Sequence, residues 1–246
     1  MKLAHQDSGD GILALVVDIV IILIAIVASA TLFIQHSSSS TVTTDTREEQ
    51  YVRPVDPTID LIFGNPNADL FIVEYADLEC PHCQEFHPTI QSFIKSKWGK
   101  SGKVAWVWRN GFHINETSIE KARTLECIRR YPGPSGRMAV WQFIEESLRG
   151  GVYEGSYPTE RYREIMERFD IPAEEVEACR EQDSIAAHIA IAAKDVVELD
   201  IEETPHIQFI SRSGELLFDG VGVLSATELE SFVAHIMQSR RQETED

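Results

Sequence analysis

The stretch Leu70-Phe71-Ile72-Val73-Glu74-Tyr75, followed after four residues by Cys80-Pro81-His82-Cys83, decides how this chain reads. Its first part is an apolar run of β-forming residues and predicts a buried strand. The amphipathic residues 84–98 that follow predict a helix. A Cys-x-x-Cys pair where a strand gives way to a helix suits dithiol–disulfide chemistry. Two intervening residues in a first helical turn let the sulfurs bridge. The unpaired N–H groups and positive dipole end of the helix stabilise a thiolate on the first cysteine. Cys80 is then the thiolate and Cys83, deeper in the turn, the resolving thiol.

Other readings of the pair compete. A zinc site needs two further ligands at close spacing, and the remaining cysteines, Cys127 and Cys179, are distant and form no second Cys-x-x-Cys. Covalent haem attachment needs a histidine after the second cysteine, where Gln84 stands. A purely structural disulfide, or a soft-metal binding pair, stays open.

These residues resemble a known family. Gly64-Asn65-Pro66-Asn67-Ala68, with Ile72 to Cys83, is similar to the opening of DsbA-type thiol–disulfide oxidoreductases, and the Cys-Pro-His-Cys tetrapeptide is the one DsbA carries. The resemblance runs over residues 62–237. It implies an α/β chain, a thioredoxin fold with a helical insertion. It also implies roles for separate positions. Glu74, six residues before Cys80, matches a buried acid that assists proton transfer. Pro88 matches a proline that kinks the active-site helix. Thr204-Pro205 matches a cis-proline loop that faces the dithiol and binds substrate backbone. Cys127 and Cys179 resemble an extra cysteine pair, bridged in some members, and two unpaired buried cysteines are the alternative.

The neighbouring residues set the chemistry. Pro81 and His82 separate the thiols and belong to the same candidate site. A protonated or hydrogen-bonding His82 imidazole would favour the Cys80 thiolate; a solvated histidine would not act. Asp77, Glu79 and Glu85 are close in sequence, and nearby acids disfavour a thiolate. The family usually carries a neutral residue where Glu79 stands. Glu74 lies on a strand expected to be buried on both faces, so its pKa should rise unless Lys103 or Arg109 pairs with it. Pro205 without the resemblance is an ordinary trans proline, since only about 5–6% of X–Pro bonds are cis. His87 reads as a solvated surface residue, and His113 has no assigned role. Asn115-Glu116-Thr117 matches a glycosylation sequon with no expected meaning here.

The two ends of the chain carry a different signal. Residues 11–34 form a long apolar run with Asp18 its sole charge. Its 24 residues reach about 36 Å as a helix, enough to cross a hydrocarbon core of ~30 Å. Ala28-Ser29-Ala30 resembles a signal-peptidase site, yet Leu32-Phe33-Ile34 continues the run, which favours an uncleaved transmembrane helix over a cleaved signal. Either would place the domain outside the cytoplasm, with residues 1–10 inside. The Ser/Thr-rich residues 35–60 read as a flexible linker. The domain then occupies residues 61–240, and the charged residues 241–246 read as a frayed tail.

The formal net charge of −18 argues against a nucleic-acid partner, because phosphate recognition needs clustered Lys and Arg. Val104, Trp106 and Trp108 mark a second strand, residues 115–200 read as helical almost throughout, and strands return at residues 206–212 and 215–220 around a Ser213-Gly214 turn. Ser225 and Glu228 form a capping box for a last helix. The whole reads as a monomeric enzyme without metal or cofactor, tethered to the cell membrane, its catalytic domain periplasmic or on the outer face. Its substrates would be reduced exported proteins. The resemblance implies a quinone-linked membrane oxidase, of the DsbB or vitamin K epoxide reductase type, as redox partner. The alternatives are a reductase or isomerase of the same fold, or a non-catalytic chaperone-like or metal-binding module.

Overall fold

The computed structural model of the chain describes residues 52–149 and 159–245. Residues 11–34, read above as an anchor, lie outside them, as does the Gly150-Gly151 break. Among the described residues no helix is long and apolar enough to cross a membrane.

Among the described residues five strands form one sheet: β1 (Leu61–Phe63), β2 (Leu70–Tyr75), β3 (Val104–Arg109), β4 (His206–Ser211) and β5 (Leu216–Val221), in the order β1-β3-β2-β4-β5. β2 and β3 run parallel, joined by α1 (Pro81–Ile94) and the short α2 (Lys97–Lys100), while β1 and β4 flank them antiparallel. Between β3 and β4 the chain runs through α3 (Glu116–Arg130), α4 (Gly133–Arg149), α5 (Thr159–Arg168), α6 (Ala173–Arg180) and α7 (Asp183–Glu198). A β4–β5 hairpin and α8 (Ala226–Glu245) complete the fold. Gly214 sits at φ +91° in the hairpin turn, a conformation side chains other than glycine rarely adopt.

Period-two alternation sorts the strand residues between two cores. Leu70, Ile72, Val104, Trp106, Trp108, Ile207 and Phe209 pack on the face shared with Phe86 and Ile90 of α1 and with α3, α4 and α8. Phe71, Val73, Tyr75, Ala105, Val107 and Ile210 face the other way, against Val196 and Leu199 at the end of α7. The central strands are therefore buried on both sides, and β2 ends in the loop that leads to Cys80 at the start of α1. Ser225 caps α8 as expected: its N–H donates to Glu228 Oε2 (2.8 Å) and its Oγ accepts from the Glu228 N–H (3.2 Å).

Three features depart from the sequence reading. β1 was not anticipated, because three residues are too few to show a period. The segment expected to be linker up to residue 60 joins the domain from residue 52: Val52 and Val55 pack on the second core and Asp60 is buried. α8 runs to Glu245, past the boundary placed at 240, because nothing before that point breaks its hydrogen bonding.

Candidate active site

Cys80 is the N-cap of α1, in an extended conformation, and Pro81 occupies the first helical turn, where its missing N–H costs nothing. The Cys83 N–H donates to Cys80 Sγ at 3.3 Å. Across the loop, the Thr204–Pro205 peptide bond is cis, and the Thr204 hydroxyl donates to Cys80 Sγ at 3.1 Å. When Cys80 carries its proton, the thiol donates to the Thr204 carbonyl at 3.4 Å. β2, α1 and the loop before β4 thus converge on one sulfur. Cys80 and Cys83 are free thiols and both are buried.

The two thiols are driven apart. A hydrogen bond from the Cys83 thiol is the largest influence on Cys80; together with the Thr204 hydroxyl and the Cys83 and His82 backbone N–H groups it outweighs desolvation and pulls the Cys80 pKa down to about 6. Burial pushes Cys83 far above the ordinary thiol range, and its hydrogen bond to Cys80 pushes the same way. One cysteine is a thiolate at neutral pH and the other is not.

Glu74 lies beneath the pair, fully buried, on the face of β2 that meets α1. Burial raises its pKa well above the usual carboxylate range, opposed by the Trp106 indole N–H, which donates to its Oε2 at 3.0 Å. The alternative of an ion pair with Arg109 is excluded by that residue's position on the opposite face, where it binds Asp60. A carboxyl whose pKa is raised beside a buried thiol can exchange a proton with it.

The structure corrects several readings around the dithiol. The His82 side chain is exposed, with Nδ1 3.8 Å from Glu85, and its influence on Cys80 comes through its backbone N–H rather than an imidazole charge. Asp77 and Glu79 are not free acids beside the thiolate. Asp77 accepts from the Glu79 N–H (2.6 Å), the Ile114 N–H (2.9 Å) and Ser118 Oγ (3.0 Å). Glu79 is fully buried in an ion pair with Lys121 of α3, itself 3% exposed. His87 is buried rather than solvated, packed 5.4 Å from the Trp106 ring, and burial lowers its pKa to about 4. Pro88 lies inside α1, as the resemblance implied. His113 sits 3.3 Å from Asn110 Nδ2 and is held below the ordinary imidazole value by burial. Asn115 of the sequon is the N-cap of α3 in a capping box with Ser118.

Away from the dithiol, Cys127 of α3 and Cys179 of α6 form a disulfide, Cα to Cα 5.9 Å. Lys121 was missed by the sequence reading. The available signal was its place one and two turns before Leu125 and Ile128, a charge in register with the apolar stripe of α3. Among the described residues no group of three or more His, Cys, Asp or Glu side chains could hold a metal ion.

A dithiol at the junction of a central strand and a helix, faced by a cis-proline loop, defines a thioredoxin-fold redox centre. The family model described as Thioredoxin matches residues 58–210, and the chain belongs to that family. The chain is similar to the Rickettsia prowazekii protein named "Putative protein-disulfide oxidoreductase RP025", with 27% identity over 65% of this chain and 61% of that one. It spans 54% of a Rickettsia felis relative named "Putative protein-disulfide oxidoreductase" at 26% identity, so it covers little more than half the length of these curated relatives. Among solved structures, Wolbachia pipientis alpha-DsbA1 matches with a TM-score of 0.64 at 17% identity, covering 78% of this chain and 96% of that chain. Oxidised BdbD from Bacillus subtilis matches with a TM-score of 0.62 at 16% identity, covering 76% and 97%. These likenesses establish the thioredoxin fold with its helical insertion.

Proposed function

We propose that the protein is a thiol–disulfide oxidoreductase that introduces disulfides into exported proteins, from a domain held outside the cytoplasm by residues 11–34. The observation that carries this reading is the asymmetry of the pair: a Cys80 thiolate held by four donors against a buried, protonated Cys83. In the oxidised protein a substrate thiolate attacks Cys80 Sγ and forms a mixed disulfide. The Cys80–Cys83 bond breaks, and the departing Cys83 sulfur takes the proton that neutral Glu74 holds. A second substrate thiolate then attacks the substrate sulfur of the mixed disulfide and expels Cys80 as its stabilised thiolate. The substrate is oxidised by two electrons and the dithiol is reduced by two. Stabilising the reduced form makes the disulfide oxidising. The names of the rickettsial relatives support the same chemistry. Recharging requires an oxidant in the membrane, and a quinone-linked thiol oxidase of the DsbB or vitamin K epoxide reductase type fits that need.

The test is the reduction potential of the Cys80–Cys83 pair, by equilibration in glutathione buffers. A value near that of DsbA, about −120 mV, is expected. A value near that of thioredoxin, about −270 mV, assigns the protein to reduction and overturns the direction proposed.

A further inference from the structure

Glu79 immediately precedes Cys80, and its side chain is fully buried. A buried carboxylate without a partner is strongly destabilising, and one this close to a thiolate also opposes it by like-charge repulsion. Its partner does not come from the redox motif. Lys121 reaches it from the second turn of α3, in the helical insertion, and is itself 3% exposed. The same end of α3 holds the loop a second time: the Ile114 N–H donates to Asp77 Oδ2 and Ser118 Oγ donates to Asp77 Oδ1, which also accepts the Glu79 N–H. The Asp77 carbonyl accepts the Cys80 N–H at 3.1 Å. The insertion therefore contacts the segment leading to Cys80 through one hydrogen-bonded grip and one ion pair.

We propose that Lys121 is a positioning and charge-compensating residue for the redox centre: its ion pair with Glu79 fixes the loop that delivers Cys80 and cancels a buried negative charge that would oppose the Cys80 thiolate. The proposal rests on the redox reading of Cys80 and assigns the helical insertion a part in setting it. Other groups around Cys80 do not replace Lys121. Cys83, the Thr204 hydroxyl and the His82 N–H donate hydrogen bonds but carry no positive charge. Glu74 and Asp77 are acids, and the His82 ring points to solvent beside Glu85.

An ion pair whose role is packing alone can be replaced by neutral groups of similar volume without a trace at the thiolate, whereas a compensating charge cannot be removed singly. The experiment titrates the Cys80 thiolate by its absorbance at 240 nm in the reduced full-length chain, together with its glutathione potential. Lys121→Met should raise the thiolate midpoint by about half a pH unit or more and make the pair more reducing. Lys121→Arg, which keeps the charge, and the double variant Glu79→Gln/Lys121→Met, which removes both charges, should titrate with the wild type. A wild-type midpoint in Lys121→Met, or a midpoint in the double variant as high as in Lys121→Met, overturns the proposal. If Lys121→Met does not fold, Glu79→Gln decides: a midpoint at or below wild type supports compensation, and one above it excludes compensation. The wild-type potential judges the oxidising direction by itself, and only the differences between variants judge Lys121.

Discussion

The Cys80 sulfur meets the Thr204 hydroxyl at 3.1 Å and the Cys83 N–H at 3.3 Å, and hydrogen bonds to an ionised group are the strong kind. Thr204→Val removes the hydroxyl and keeps the shape. Its thiolate midpoint should rise from about 6 toward the ordinary thiol value, by about one pH unit, in the 240 nm titration. An unchanged midpoint would show that the backbone donors suffice. The lowered Cys80 pKa also has a stability sign. The unfolded thiol ionises near pH ~8.5, so the reduced protein's gain over Cys80→Ser is full above that pH and is lost as pH falls through about 6. Glu74 has the opposite sign. Its raised pKa favours the fold fully below the ordinary value of 4.5, and that advantage is lost as pH rises toward the folded value. Glu74→Gln should therefore gain stability over the wild type as pH rises above 4.5 in denaturant melts. The same variant should slow formation of the Cys80–Cys83 bond from a mixed disulfide, because the proton acceptor is gone.

At the scale of elements, α1 and the strands around it were legible because their patterns are local. A six-residue apolar strand, an amphipathic helix with its thiol cap and a glycine turn each declare themselves in consecutive residues. β1 did not, since Leu61–Phe63 acquires its identity only by pairing with Trp106 to Trp108 of β3. His87 was misread for a related reason. Its neighbours on α1 are mixed in polarity, and only the packing of α1 on Trp106 reveals that this face is covered. Glu79 and Lys121 are 42 residues apart, and no pattern in either stretch announces their meeting. The insertion shows the same division: its helices were evident, and the Cys127–Cys179 bridge rested on resemblance until α3 and α6 were seen to bring the two together. That bridge closes a separation of 52 residues, for which chain entropy sets a contribution of up to about 4 kcal/mol. The double variant Cys127→Ala/Cys179→Ala should lose stability up to that amount in denaturant melts of the oxidised protein. Its Cys80 midpoint should stay at the wild-type value, because the bridge lies outside the contacts that hold the sulfur. A shifted midpoint would mean that the helical insertion transmits strain to the dithiol.

Across the whole molecule, the two faces of the sheet divide the work. One face holds Glu74, Trp106 and the thiols, and the other is closed by a buried ionic network. Arg109 at the end of β3 donates to both oxygens of Asp60 at 3.0 Å, to the Tyr75 hydroxyl at 2.7 Å and to the backbone carbonyls of Arg53 and Pro54. Arg53 in turn binds Asp60 at 3.0 Å and Asp195 of α7 at 2.6 Å. The segment before β1, the two central strands and the last helix of the insertion are thus pinned at one point. Burial alone would raise the Asp60 pKa; the charge and hydrogen bonds of Arg109 outweigh it and leave the pKa below its ordinary 3.8. Arg109→Met leaves Asp60 buried with a single arginine, and removing one member of such a network costs about 3–5 kcal/mol. The sign in pH follows from the lowered carboxyl: its contribution is present above the unfolded value of 3.8 and disappears as pH falls through the folded one. Denaturant melts of wild type and Arg109→Met should therefore differ most at neutral pH and converge in acid. Because the network and the dithiol lie on opposite faces, the variant's Cys80 should still titrate near 6 wherever the protein remains folded. A constant stability gap across the acid range would show that Arg109 acts through packing rather than charge. A displaced midpoint would show that the two faces are coupled through β2, whose Glu74 and Tyr75 point into the two sites.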